Sequence, residues 1–202
     1  MTLFQILMLG ASAFFAFKIY EHIQTLRDDD QTHDDNKRNT SMRSANSFSI
    51  FSPQDLEEKA DAAFEQKDFQ KALALLQEAD EKEANNSDRI FKIGYILQEA
   101  GDITSALEYY KRALALDGNN EYIHNAIASA YRHTKEYASA RLHLNNSLEI
   151  NDKNPLTYFN YGNLLVDMEH FDEAKKMYLH ALQLNPELSE AKEELQNIEK
   201  KQ

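Results

Sequence analysis

The side chains able to do chemistry are many and scattered: 34 acids, seven histidines and no cysteine in 202 residues. Lacking thiols, the chain has no disulfide, thiolate zinc site, iron–sulfur cluster or cysteine nucleophile, and its redox compartment stays open. No HExxH, GxSxG or paired-histidine helix occurs, so neither a zinc nor a serine hydrolase has its parts. The glycines stand alone at 10, 94, 101, 118 and 162, and isolated glycines build no loop that cradles a phosphate. Aspartates cluster around His33 without the glycine and distal glutamate of a calcium loop, which reads as solvated linker. The sequence points away from catalysis, metals and cofactors, and toward binding.

Charge narrows the partner. The net charge is -12, and because residues 1–52 nearly balance, the rest carries about -11. A surface that negative disfavours nucleic acid and suits solubility or a basic partner.

The elements that must position any site fall into three stretches. In the first, 1–23, "TLFQILMLGASAFFAF" from Thr2 to Phe17 has no charged side chain. A helix continued through Tyr20 is long enough to span a bilayer at the short end of the range, with Lys18 snorkelling. Length and flanks favour an uncleaved anchor. Ala11-Ser12-Ala13 also offers a signal-peptidase pattern, and a helix packed on the soluble domain fits the same composition. The basic residues all follow the apolar run, which places the rest of the chain in the cytoplasm, with a periplasmic orientation as the alternative. Residues 24–52 are polar and read as a flexible tether, about 25 residues reaching about 30 Å from the membrane.

From Pro53 onward the chain repeats itself. Gly162, Ala174 and Ala181 fall, on successive shifts of 34, onto Ala128, Ala140 and Ser147, then Gly94, Ala106 and Ala113, then Ala60, Ala72 and Ala79. Large residues keep the same register, Phe171 with Tyr137, Ile103 and Phe69. Four units follow without insertion, 53–86, 87–120, 121–154 and 155–188. Each divides into two amphipathic stretches of about 14 residues, about 21 Å long, separated by short polar turns such as Lys67-Asp68 and Gly101-Asp102. Ser52-Pro53, Asn154-Pro155 and Asn185-Pro186 each place a capping side chain before a proline and predict helix starts. Residues 189–202 form one more amphipathic stretch, suited to cap an array. In the first unit Lys59, Asp80 and Lys82 replace apolar residues of the others, as an outer face requires. His124 replaces a large apolar residue and is expected to be packed and hydrogen-bonded.

This period and pattern resemble the tetratricopeptide repeat family. The last unit carries the match most fully, with Tyr158, Tyr161-Gly162, Leu165, Phe171, Ala174, Tyr178, Ala181 and Pro186 on the family's positions in order. The resemblance implies an all-α, right-handed α-solenoid of four helix-turn-helix repeats with a C-terminal capping helix, here preceded by one N-terminal transmembrane helix. It also implies a concave groove lined by the first helix of each unit. The groove positions include Phe91, Tyr95, Tyr122 and Phe159 as an apolar platform, Asn125 and Asn163 to hydrogen-bond a peptide backbone, and Arg132 as a cation. The family's clamp for acidic chaperone tails needs lysines and asparagines where this chain has Glu57, Asp61, Lys92, Tyr122 and Ala126, so an apolar or basic segment is the expected ligand.

The resulting expectation is a membrane-anchored adaptor or scaffold that binds a peptide segment of a protein partner and helps assemble a membrane-associated complex. A scaffold that associates with its own copies as a homo-oligomer, and a periplasm-facing chaperone-like assembly factor, are the competing readings.

Overall fold

Ser52 opens the first helix by a reciprocal cap. Its hydroxyl accepts from the Asp55 N–H at 3.1 Å, the Asp55 carboxylate accepts from the Ser52 N–H at 3.0 Å, and Pro53 supplies a preset φ. The computed structural model describes residues 50–200, so the expected anchor (1–23) and all but the end of the tether (24–52) lie outside the described residues. Among the described residues are nine α-helices and no strand. They are α1 (Pro53–Glu65), α2 (Phe69–Lys82), α3 (Ser87–Glu99), α4 (Ile103–Leu116), α5 (Glu121–His133), α6 (Tyr137–Ile150), α7 (Pro155–Asp167), α8 (Phe171–Leu184) and α9 (Ser189–Glu199). None of these is long and apolar enough to cross a membrane.

Helices pair as α1/α2, α3/α4, α5/α6 and α7/α8, and α9 closes on α8. The turn inside each pair repeats atom for atom. Lys67, Gly101, Lys135 and Glu169, spaced by 34, all take positive φ between 59° and 90°. At each, the next N–H reaches back across the helix end, as Asp68 N to Ala63 O (2.9 Å) and His170 N to Leu165 O (2.8 Å). Only Gly101 adopts that conformation without steric cost. Asp68 and Asp102 then cap α2 and α4 through the N–H groups of Lys71 and Ser105, both at 3.1 Å, and the Ser105 hydroxyl, with that N–H second, holds the Asp102 carboxyl below its ordinary pKa.

Where the two helices of a unit cross, the core takes two complementary forms. In units two and four a tyrosine on the second helix, Tyr110 or Tyr178, lies over a glycine on the first. A Cβ at Gly162 would sit 2.4 Å from Tyr178 Cε1, and one at Gly94 2.7 Å from Tyr110 Cδ1. Units one and three carry Ala60 with Leu76 and Ala128 with Leu144, all buried. The small residue is therefore fixed by the ring or branch opposite it.

The ends differ from the expectation in one place. Asn185 does not cap a helix starting at Pro186; its Oδ1 accepts from the Glu187 N–H at 3.1 Å in a turn, and α9 starts at Ser189 after Leu188. Of the polar substitutions of the first unit, Lys59 and Lys82 hold the segment before α1, while Asp80 lies 3.9 Å from Arg112 of the second unit. Lys59 lies 4.3 Å from the centre of the Phe51 ring and Lys82 donates to the Phe51 carbonyl at 2.8 Å.

Candidate functional site

The first helices form one wall: α3 packs on α5 and α5 on α7, and side-chain struts join α1 to α3. Each strut uses a cation of the wall. Arg89 Nε meets Glu57 Oε1 at 2.7 Å, Lys92 Nζ meets Asp61 Oδ2 at 2.8 Å, and Arg132 Nη1 meets Asp167 Oδ2 at 2.9 Å. Arg89 is 1% exposed and also donates to the Glu83 carbonyl and to Glu83 Oε2. Burial opposes its charge, but the bonds to Glu83 and Glu57 outweigh that and hold its pKa above the ordinary value. Helices α1, α3, α5 and α7 together carry nine carboxylates against four lysines and arginines, so the wall keeps a negative surplus after its cations are paired.

The structure divides the seven residues expected at the groove. Tyr122 is 55% exposed and Tyr95 43%, with Tyr95 resting on Phe64 at a ring separation of 5.6 Å. With Leu156, also exposed, they give the wall apolar side chains open to solvent. Phe91 and Phe159 are half-buried and lean on the buried rings of Tyr110 and Tyr178, at 5.4 and 5.8 Å. They brace the platform more than they surface it.

Asn125 corrects the expectation. It is 7% exposed, and its amide lies 2.8 Å from both Ser147 Oγ and Thr157 Oγ1 and 2.9 Å from the Glu121 carbonyl, while its Oδ1 accepts from Asn160 at 3.0 Å. Two N–H groups shared among three acceptors leave no donor for a peptide backbone. Arg132 is likewise engaged by Asp167 and is not a lone cation. Asn163 keeps its donors: Tyr178 donates to its Oδ1 at 2.7 Å, which fixes the amide and leaves Nδ2 to bond elsewhere.

Asp167 and Glu194 complete the site, and of these the sequence reading missed Glu194. Together with Arg132, Asn163, Val166 and Tyr178 they line a cavity of about 170 Å³ where α5, α7, α8 and α9 meet. Burial pushes the Tyr178 hydroxyl far up in pKa and nearby Glu194 pushes it further, so it stays a neutral donor. His124 is packed as expected, its Nδ1 2.9 Å from His143 Nδ1. Burial lowers both, and His143 is driven down to about 4 by burial, then by His124 and Lys111. Among the described residues no three metal-ligating side chains gather.

Comparison with known proteins agrees with this architecture. One tetratricopeptide repeat family model matches residues 63–130 and 97–156, and a second matches 156–188. The Caenorhabditis elegans tetratricopeptide repeat-containing protein trd-1 is 34% identical over 92 residues, 45% of this chain but only 12% of that protein. Among solved structures, the first repeat domain of Spaghetti (RPAP3), bound to the HSP90 peptide SRMEEVD, is 26% identical with a TM-score of 0.52 over 56% of this chain and 90% of that one. MamA from Desulfovibrio magneticus RS-1 is 18% identical with a TM-score of 0.62, covering 72% of this chain and 82% of that one, a likeness of fold. With matches running from 63 to 188 across the observed helix pairs, this chain belongs to the tetratricopeptide repeat family.

Proposed function

We propose that the wall of first helices binds a segment of a protein partner, and that residues 1–23 anchor the chain so that binding occurs beside a membrane. The observation that carries the binding reading is the pair Tyr95 and Tyr122, large and exposed on neighbouring first helices whose cations are already paired. Exposed aromatics above a rigid wall are anchors for apolar side chains, and the surplus of carboxylates selects a segment that is neutral or basic. The Spaghetti domain supports peptide binding as the shared role, yet its acidic peptide is not the ligand class proposed here. At the positions of a carboxylate clamp this chain offers Glu57 and Asp61, and Lys92 is held by Asp61. The anchor and a short tether would raise the local concentration of membrane-bound partners, which suits a scaffold in complex assembly.

A photo-crosslinking side chain placed at Tyr122 in the full chain tests this in cells, with Leu142, 58% exposed on the second helix α6, as the matched control. The expected outcome is an adduct with another protein from position 122 and none from 142. Adducts with the chain's own copies would favour self-association. Equal adducts from both positions would remove the groove assignment. Release of the protein from membranes on deleting residues 1–23 checks the anchor.

A further inference from the structure

The cavity at the carboxyl-terminal end of the wall is too small for a cofactor, since small-molecule sites run from about 300 Å³ upward, but it matches a single side chain. Its polar content is asymmetric. Arg132 is paired with Asp167 at 2.9 Å, which neutralises one carboxylate. Glu194, reaching in from α9, has no ion-pair partner among the described residues, so the cavity keeps a net charge of one carboxylate. On the opposite side, Tyr178 holds Asn163 by a 2.7 Å bond and leaves the Asn163 Nδ2 available to a carbonyl. A carboxylate entering here would meet Asp167 and Glu194 with one donor already engaged, whereas a cation would find an unpaired carboxylate in a half-enclosed site.

We infer that this cavity takes a basic side chain, an arginine guanidinium or lysine ammonium, of the segment bound along the wall, with Glu194 as its counter-ion and Asn163 holding the adjoining backbone carbonyl. The inference rests on the groove reading and adds its specificity. It also gives α9 a role beyond covering the last apolar face, because Glu194 is the one cavity residue that the four units do not supply.

Random dodecamers displayed on phage, selected against the full chain in mild detergent, are the probe. The expected result is enriched peptides with apolar anchors and one basic residue at a fixed offset. A synthetic peptide of that sequence should bind about tenfold more tightly than its Arg-to-Gln counterpart, the scale of one charge-assisted bond. Two substitutions should move that ratio in opposite directions. Glu194→Gln should bring it close to one, while Arg132→Gln, by freeing Asp167 and removing the competing cation, should raise it. Peptides with apolar anchors but no basic preference, or a preference unchanged in Glu194→Gln, overturn the inference and leave the groove standing. Enriched peptides with an acidic residue at that offset, their preference lost in Arg132→Gln, would mean that the cavity binds an anion, which also overturns it. No enrichment by the full chain overturns both readings.

Discussion

Units one and three and units two and four solve the same packing problem with different residues. In units two and four the fifth residue of the first helix is Phe91 or Phe159, leaning on Tyr110 or Tyr178 above a glycine. Units one and three have Glu57 and Asn125 there, above Ala60 with Leu76 and Ala128 with Leu144. Each polar residue reaches a partner 32 positions on, Glu57 to Arg89 and Asn125 to Thr157. The junction after unit two is apolar instead, with Ile123 at the equivalent place in the cluster that Phe91 packs against. One backbone geometry thus carries a charged joint, an apolar joint and a neutral polar joint in succession, which breaks the symmetry an ideal repeat would leave between registers.

The charged joint should be the most sensitive. Arg89→Ala removes a buried guanidinium, its bonds to Glu57 and Glu83, and much of the packing between the first two units, and is expected to cost about 3 kcal/mol. The double variant Glu57→Leu/Arg89→Met, which keeps volume and leaves only the half-exposed Glu83 carboxylate without its cation, should recover most of the urea midpoint lost by Arg89→Ala. If the double variant is no better than the single one, the joint depends on its charge and not on its shape.

The alternation of core pairs comes next. Gly162→Ala forces a methyl against the Tyr178 ring, an overpacking that should cost about 2 kcal/mol. Adding Tyr178→Leu recreates the Ala/Leu pairing of units one and three and should restore much of that loss in the same urea titration. Rescue would establish that residues 16 apart are read as a pair. An additive loss would mean that each unit's neighbours, and not its own second helix, set the small residue.

That pairing was half legible in the sequence. A shift of 34 exposed the small positions, the turns at 67 and 101 and the helix count, because each depends on backbone geometry that recurs in every unit. The coupling of glycine to tyrosine needed the distance between them. The wall was less legible. Asn125 occupies a position that faces a groove in the resembling family, and nothing local shows that Ser147 and Thr157, one and two helices away, converge on it. A signal did exist in the 68-residue shift, which superposes Glu57 and Arg89 on Asn125 and Thr157, and in Ser147, a serine where the other units have alanine. Glu194 escaped because the terminal helix lies outside the repeat register.

The neutral joint should be more forgiving than the charged one. Asn125→Ala leaves Ser147 and Thr157 3.0 Å apart and able to bond one another and the Glu121 carbonyl, so about 1–2 kcal/mol is expected. The measurement is again the urea midpoint, beside Arg89→Ala in the same buffer. A loss as large as that of Arg89→Ala would show that the network acts as a unit and that the two joints are energetically equal.

The smallest expected effect separates unit three from the rest by pH. His124 and His143 stand where the other units have Leu56 and Leu75, Ile90 and Tyr109, or Tyr158 and Met177, so only unit three places two imidazoles in contact. Burial lowers both pKa values, and the facing His124 and Lys111 help bring His143 to about 4, against about 6.5 in an unfolded chain. Between those limits the unfolded chain binds more protons than the folded one. The stability from keeping the pair neutral is therefore complete above about pH 6.5 and is lost progressively as pH falls toward 4. His124→Leu/His143→Leu gives unit three the leucine pair that unit one has at Leu56 and Leu75 and should flatten this part of the pH profile, leaving only the carboxylate titration that every unit shares. A profile as steep as that of the parent chain would place the sensitivity in the carboxylates. In that case the neutral third unit and the charged first junction would respond to acid alike, although Arg89 itself stays protonated throughout.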